Sequence, residues 1–365
     1  MATNKSFLDR RNQLLQVMVD NGVSDLFLTF GAAPAIRLYG EIVTLEEGIE
    51  PLDEPTLKGL VDAILETDDR RKQFKDHKEV DFAFSFDKER FRVNVFQQRG
   101  HPAAALRYLP SRLYTLEELG LPAVFREATE RGSGIVLIAG PTGSGKSTSL
   151  ASLIDHVNEN ERRHIITIED PIEYIHRHKK SIVEQREVGV DTESYERALL
   201  STMRESPDIV MVGEMRDLDS MRHALTLAET GHLIFSTIHA RSSALCVSKI
   251  VDSFPAEEQS QIRLQLADSI VGIFSQRLIR NVGGNGMVLA TETMVSTNAI
   301  RNLIRENKTH QINSSIQVGL QDGMHLLEDD LARLIQEGRI RREDAMKQAN
   351  DPGVLLKVGH SAAVK

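Results

Sequence analysis

Four short, mostly apolar runs, Ile135–Ala139, His164–Ile168, Asp208–Gly213 and Leu233–Thr237, lie between residues 130 and 240. They lack the period of two of a half-exposed strand and read as strands of a sheet buried on both faces. Leu150, Leu153, Ile154 and Val157 follow the first run at helical spacing. The pattern upstream is different. Asp81–Phe86 and Phe91–Phe96 alternate with period two and are joined by Asp87–Arg90, which predicts a hairpin. Ser24–Thr29, part of Gly31–Gly40, and Ala103–Leu109 read as further strands. Leu8, Leu14, Leu15 and Met18 mark a helix over Phe7–Val19, closed by Asn21-Gly22, and Pro51–Leu65 marks a second. Downstream, Val124–Thr129 reads as helical. Ala256–Leu278 reads as a helix, Met287–Met294 as a short strand after Gly283-Gly284, and the chain to Ala349 as helices broken by Asp351-Pro352-Gly353.

The expected organisation is therefore a small α+β domain over residues 1–110, a linker over 111–122 carrying the turn signals Pro110, Gly120 and Pro122, an α/β domain with C-terminal helices over 123–350, and a tail over 351–365. Strands alternating with helices or crossovers place the second domain in the RecA-like α/β class.

The end of the first apolar run carries the chemistry. Gly140-Pro141-Thr142-Gly143-Ser144-Gly145-Lys146-Ser147, with Thr148 next, reads GxxxxGK[ST], the phosphate-binding loop of P-loop nucleoside triphosphatases. Strand, glycine turn and helix stand in the required order. The glycines let the backbone turn sharply with its N–H groups aimed at phosphate oxygens, and the helix N-terminus adds positive potential at the same place. Lys146 would reach the β- and γ-phosphates, and Ser147 would ligand Mg²⁺. The bare pattern arises by accident in about one per cent of chains this long, before strand and helix are also demanded. ATP with Mg²⁺ is the expected cofactor pair.

Two more runs end in carboxylates, where open α/β sheets place their chemistry. Glu169-Asp170-Pro171-Ile172-Glu173 follows one, and Glu214-Met215-Arg216-Asp217 follows another and resembles a Walker B segment. Glu169 is a candidate for activating water, and Glu214 for holding Mg²⁺ directly or through water; the two roles could be exchanged. His232 and His239 bracket the fourth run as candidate γ-phosphate sensors or hydrogen-bond donors. Arg92, Arg99 and Arg107 lie on or beside the N-terminal strands. Spacing alone leaves them open between a solvated sheet face and bidentate phosphate donors, including donors to a neighbouring subunit.

Composition narrows the partners. With 365 residues, a formal net charge of −9, aromatics at 5% and no Trp, the chain lacks the broad basic and stacking surface of a nucleic-acid binder. One cysteine, Cys246, excludes an intrachain disulfide framework and a four-cysteine zinc module. No run approaches 18 consecutive apolar residues and the N-terminus has no signal-peptide core, so a soluble, cytoplasmic protein is expected.

From Phe7 to Pro352 the chain resembles the secretion-type hexameric ATPases, and within them the PilT-like retraction motors of type IV pili. The resemblance rests on the phosphate loop, an aspartate box Thr167–Glu173, the Walker B segment Val212–Asp217 and a histidine box Glu229–His239. It rests also on Ala299–Glu306, similar to the helix that such motors need for retraction. The segment Ala240–Val247 is less typical and leaves the subtype open between PilT-like and PilU-like. The resemblance implies a PAS-like N-terminal domain and a homohexameric ring with active sites between subunits. It implies ATP hydrolysis driving pilus retraction and twitching motility, with Arg92 and Arg107 closing the site. It implies a location at the cytoplasmic face of the inner membrane, with contact to the membrane only through a pilus platform protein, a paralogous retraction ATPase as a further partner, and no direct nucleic acid. The competing expectations are a pilus-extension or type II secretion ATPase and a nucleic-acid translocase. The single cysteine and short N-terminal region weigh against the first, and the acidic balance against the second.

Overall fold

The computed structural model describes residues 2–38, 41–45, 50–109, 112–284 and 286–355. Gly40, Pro110, Ser111 and the tail beyond 355, which enter the expected boundaries, lie outside the described residues. The chain divides into two compact units: residues up to Arg112 with Pro171–Ile175, and Leu113–Asp170 with His176 onward.

In the first unit, helix α1 (Ala2–Asp20) leads into strands β1 (Asp25–Leu28), β2 (Ala35–Leu38) and β3 (Glu41–Thr44). Helices α2 (Glu54–Leu65) and α3 (Asp68–His77) follow, then β4 (Glu79–Phe86), β5 (Glu89–Gln98) and β6 (His101–Leu109). The six strands form one antiparallel sheet in the order β3-β2-β1-β6-β5-β4, the N-terminal PAS-like α+β domain. Asp53 starts α2 by accepting the Thr56 N–H at 2.9 Å. The alternation in β5 sends Phe91, Val93 and Val95 into a core shared with Leu57, Leu60 and Ile64 of α2, leaving Arg92 and Asn94 on the other face.

In the second unit, α4 (Ala123–Thr129) precedes β7 (Gly134–Ala139), α5 (Lys146–Asn160), β8 (His164–Glu169), β9 (Ile182–Glu187), α6 (Tyr195–Thr202) and β10 (Ile209–Val212). After these come α7 (Leu218–Glu229), β11 (Leu233–Ile238), α8 (Ser243–Asp252), α9 (Gln259–Ser269), β12 (Ile270–Arg280) and β13 (Met287–Val295). The helices α10 (Asn298–Arg305), α11 (Ile312–Val318), α12 (Leu327–Gln336) and α13 (Arg342–Gln348) complete it. The sheet order is β13-β12-β7-β11-β10-β8-β9, parallel throughout except for the β12–β13 pair. Each central strand is buried on both faces. Ile135 and Leu137 pack toward α7 and α9, while Val136 and Ile138 pack toward α4 and α5. That double burial is why these runs show no alternation.

One expected element is corrected. The helix assigned to Ala256–Leu278 ends at Ser269, and Ile270–Arg280 is β12, paired parallel with β7 and antiparallel with β13. The run Ile270, Val271, Ile273, Phe274 is β-branched and aromatic, and beside β7 it buries apolar surface on both faces, which a one-sided surface helix would leave half exposed. With β9, and with β13 where the strand over Met287–Met294 was expected, this makes a seven-stranded sheet around the four buried strands read from the sequence.

Candidate active site

Because the sheet is parallel, the C-terminal ends of β7, β11, β10 and β8 come out along one edge. The registers pair Ala139 with Ile238, Ser236 with Val212, and Val212 with Ile168. The phosphate loop leaves β7 there. Gly140, with φ 153°, lies so close to its surroundings that a Cβ would sit 2.4 Å from Ser144 Oγ and 2.8 Å from the Gln276 carbonyl of β12. Only glycine lets the loop and the neighbouring strand approach this far. Lys146 opens α5 and is 8% exposed. Its Nζ donates to the carbonyls of Gly140 at 3.1 Å and Pro141 at 3.0 Å, which curls the side chain back over the loop. Ser147, in the first turn of α5, is exposed.

A contact chain runs from Lys146 to the next two strand ends. Lys146 Nζ stands 3.5 Å from His239 Nδ1, and His239 Nε2 stands 3.1 Å from Glu214 Oε1. An ammonium can only donate, so Nδ1 accepts and Nε2 carries the proton donated to Glu214. Burial, and then the Lys146 charge, lower the His239 pKa below the ordinary imidazole value, against the pull of Glu214. The second oxygen of Glu214 accepts from Arg216 Nε at 2.7 Å. Glu169, 8% exposed at the end of β8, accepts at Oε1 from Thr167 Oγ1 at 2.7 Å and from Gln185 Nε2 at 3.1 Å, which fixes the carboxylate's orientation. The strand ends are stitched together by Gly213 N–H to the Ile168 carbonyl at 2.8 Å and Thr237 Oγ1 to the Gly213 carbonyl at 2.6 Å.

His232 is not brought to this edge. It precedes β11, where its carbonyl accepts the Gly134 N–H at 3.0 Å and its ring contacts the Leu227 carbonyl at 3.1 Å. A strand advances about 3.3 Å per residue, so the two imidazoles stand about 20 Å apart at opposite ends of one strand. Within one chain, His239 faces the loop, and His232 ties the far end of β11 to α7. Arg92 and Arg107 belong to the first unit, opposite one another across β5 and β6. Arg92 pairs with Asp81 at 2.7 Å and Arg107 with Asp25 at 2.8 Å. The sequence reading gave no role to Gln185, Arg241, Gln276 or Arg277. Gln276-Arg277, a polar pair inside an apolar run, was the available signal that this strand passes the loop.

The donor set suits Mg²⁺. Among the described residues no cluster of three or more His, Cys, Asp or Glu side chains can hold a metal. The accessible Ser147 hydroxyl and the Glu214 carboxylate are hard oxygen donors of the kind Mg²⁺ takes in ones and twos beside substrate phosphates.

The chain matches the model of the type II/IV secretion system protein family over residues 11–353. It is 46% identical over 341 residues to the type IV pilus retraction ATPase PilT of Pseudomonas aeruginosa, covering 93% of this chain and 98% of the relative. It is 43% identical over 319 residues to a twitching motility protein of Neisseria gonorrhoeae, covering 87% and 84%. Among solved structures, that of the pilus retraction motor PilT with bound ADP is 44% identical, with a TM-score of 0.86, covering 95% of this chain and 98% of that one.

Proposed function

The chain belongs to the type II/IV secretion system protein family, and from that premise we propose how its residues drive a hexameric motor that hydrolyses ATP to retract type IV pili. The chain is an ATPase of the retraction branch. The observation that carries the residue assignments is the contact chain Lys146–His239–Glu214 at the mouth of the phosphate loop. The loop from Gly140 to Thr148 binds the phosphates through its N–H groups, and Lys146 places its charge on the β- and γ-phosphates. Ser147 and Glu214, the latter directly or through water, hold Mg²⁺, which when bound neutralises charge on those phosphates. His239, neutral and fixed between Lys146 and Glu214, senses the γ-phosphate. Glu169, held by Thr167 and Gln185, orients the attacking water and accepts its proton. Arg92 and Arg107 reach the phosphates of a neighbouring protomer in a homohexameric ring and exchange Asp81 and Asp25 for that anion. Among the described residues no helix is long and apolar enough to cross a membrane. The ring works at the cytoplasmic face of the inner membrane through a platform protein, with a paralogous retraction ATPase as a second partner.

Helix α10 separates ATP consumption from retraction. Ile300 and Ile304 are fully buried and Leu303 packs beside them, so the helix docks its apolar side. Arg301 bonds to Ser296 Oγ at 2.9 Å and Arg305 pairs with Asp268. The exposed Arg305–Asp268 pair contributes about 0–1 kcal/mol, and the part-buried Arg301–Ser296 hydrogen bond about 1–3 kcal/mol. Arg301→Ala with Arg305→Ala is therefore expected to leave the protein folded with ATPase within about threefold of wild type, and to abolish twitching. Normal twitching by the double variant would remove the coupling role, and an equal loss of ATPase would make the helix a purely structural part.

A further inference from the structure

Helix α6 brings to the carboxylate edge a polar group that none of the sequence motifs includes. Strands β8, β9 and β10 run parallel, so the helix between β9 and β10 returns along the sheet and starts at the edge where the strands end. Tyr195 opens that helix behind its cap Ser194, whose hydroxyl accepts the Arg197 N–H at 3.1 Å. Helical side chains lean toward the N-terminus, so the Tyr195 ring runs off the start of α6 toward the strand ends. Ala198 and Leu199 anchor α6 in the core that it shares with Ile168 of β8 and Val212 of β10, and the Tyr195 ring packs against the same cluster.

The hydroxyl comes to lie between two strand ends. A Cβ on Gly213, the residue before Glu214, would sit 3.3 Å from Tyr195 Oη, 3.4 Å from the Ile168 carbonyl oxygen and 3.5 Å from Glu169 Cα. Glycine at 213 thus leaves the phenol room against the backbone that carries both candidate carboxylates. The surrounding charge agrees with that position. Burial, and then Asp170, Glu169 and Glu214, push the phenol pKa up against the pull of Arg216, so the group stays a hydroxyl. Tyr195 is half-buried, and its hydroxyl makes no hydrogen bond among the described residues. A hydroxyl in that state both donates and accepts, and costs stability until water or a ligand meets it.

We propose that Tyr195 is a further catalytic residue, whose hydroxyl oxygen accepts one proton of the attacking water in a hydrogen bond while Glu169 accepts the other. A water held by one acceptor swings about that bond; a second acceptor fixes it with a lone pair toward the γ-phosphorus. Glu169 takes its proton as the water oxygen bonds to phosphorus and the bond to the β–γ bridging oxygen breaks, the electron pair leaving with ADP. Tyr195 keeps its own proton throughout. The assignment rests on the reading of Glu169 given above. It is tested in the full chain with Tyr195→Phe, which keeps the ring and its packing and removes one oxygen. Turnover should fall about five- to tenfold, the worth of one hydrogen bond, while ADP affinity by titration calorimetry in Mg²⁺ buffer stays within about twofold. In single-turnover hydrolysis the same change made in Glu169→Gln should add less than about twofold, because the two side chains hold one water. A purely structural residue would give multiplicative losses. Wild-type turnover in Tyr195→Phe overturns the assignment, as do multiplicative losses in the double variant or an equal loss of ADP affinity. Full activity of Tyr195→Phe beside a slow Glu169→Gln removes the tyrosine alone. A Glu169→Gln variant at the wild-type rate sinks the reading of the site, and Tyr195 with it.

Discussion

Lys146→Ala should abolish measurable ATP hydrolysis and weaken nucleotide binding while leaving the fold intact. The side chain is a charge on a flexible stem, held over the loop by the Gly140 and Pro141 carbonyls and within 3.5 Å of His239. On the proposed assignment, removing it takes away the cation that faces the transferred phosphoryl group. Loss of one well-placed electrostatic donor costs about 10²–10³ in turnover, and this donor also contributes to ground-state binding. Pro141 is exposed and its carbonyl regains water, whereas Gly140 is buried and its carbonyl loses a partner, at a stability cost of about 1–3 kcal/mol. Steady-state phosphate release and nucleotide titration on the purified variant check the result. Turnover near the wild-type rate would refute the phosphate-loop assignment.

Glu169→Gln should give the opposite division, with nucleotide affinity retained within a few-fold and hydrolysis slowed by about 10²–10³. Glutamine keeps an oxygen able to accept from Thr167 and Gln185, so the side chain stays where it is. It loses the charge and the basicity. Glu214→Gln should also slow turnover, for a different reason. It weakens the bonds to His239 and Arg216 together with the Mg²⁺ contact, so its defect should ease as Mg²⁺ is raised, whereas that of Glu169→Gln should not. Single-turnover hydrolysis across a Mg²⁺ series separates the two. Full activity in both variants would mean that neither strand end carries the chemistry.

What the sequence could and could not disclose follows from burial. The central strands β7, β10 and β11 were legible because both faces are buried, and an uninterrupted apolar run has few other uses. The β4–β5 hairpin was legible because one face is buried and the other is not. Elements without a buried face left no periodic trace. Helix α3 has no buried residue, and only its Thr67 cap, the acids Asp68 and Asp69 in its first turn, and Lys75 and His77 in its last turn announce it. Strands β3 and β9 lie at sheet edges, fully exposed in β3 and mixed in β9, and so lacked a pattern. Strand β12 was hidden for the opposite reason, since its apolar positions continue those of α9 without a break. At the site, the loop and the carboxylates were readable because spacing dictates their geometry. The contact between His239 and Lys146, residues 93 positions apart, depends on strand order, which no local pattern encodes. That His232 and His239 stand at opposite ends follows from the length of the one strand they bracket, not from strand order.

The central claim is that ATP hydrolysis by this chain shortens pili rather than building them. Counting surface pili by electron microscopy after deletion of the gene in its host tests this most directly. A retraction motor's loss should raise the number of pili per cell, because assembly continues unopposed. Cells left without pili would contradict the account and place the chain among the extension motors.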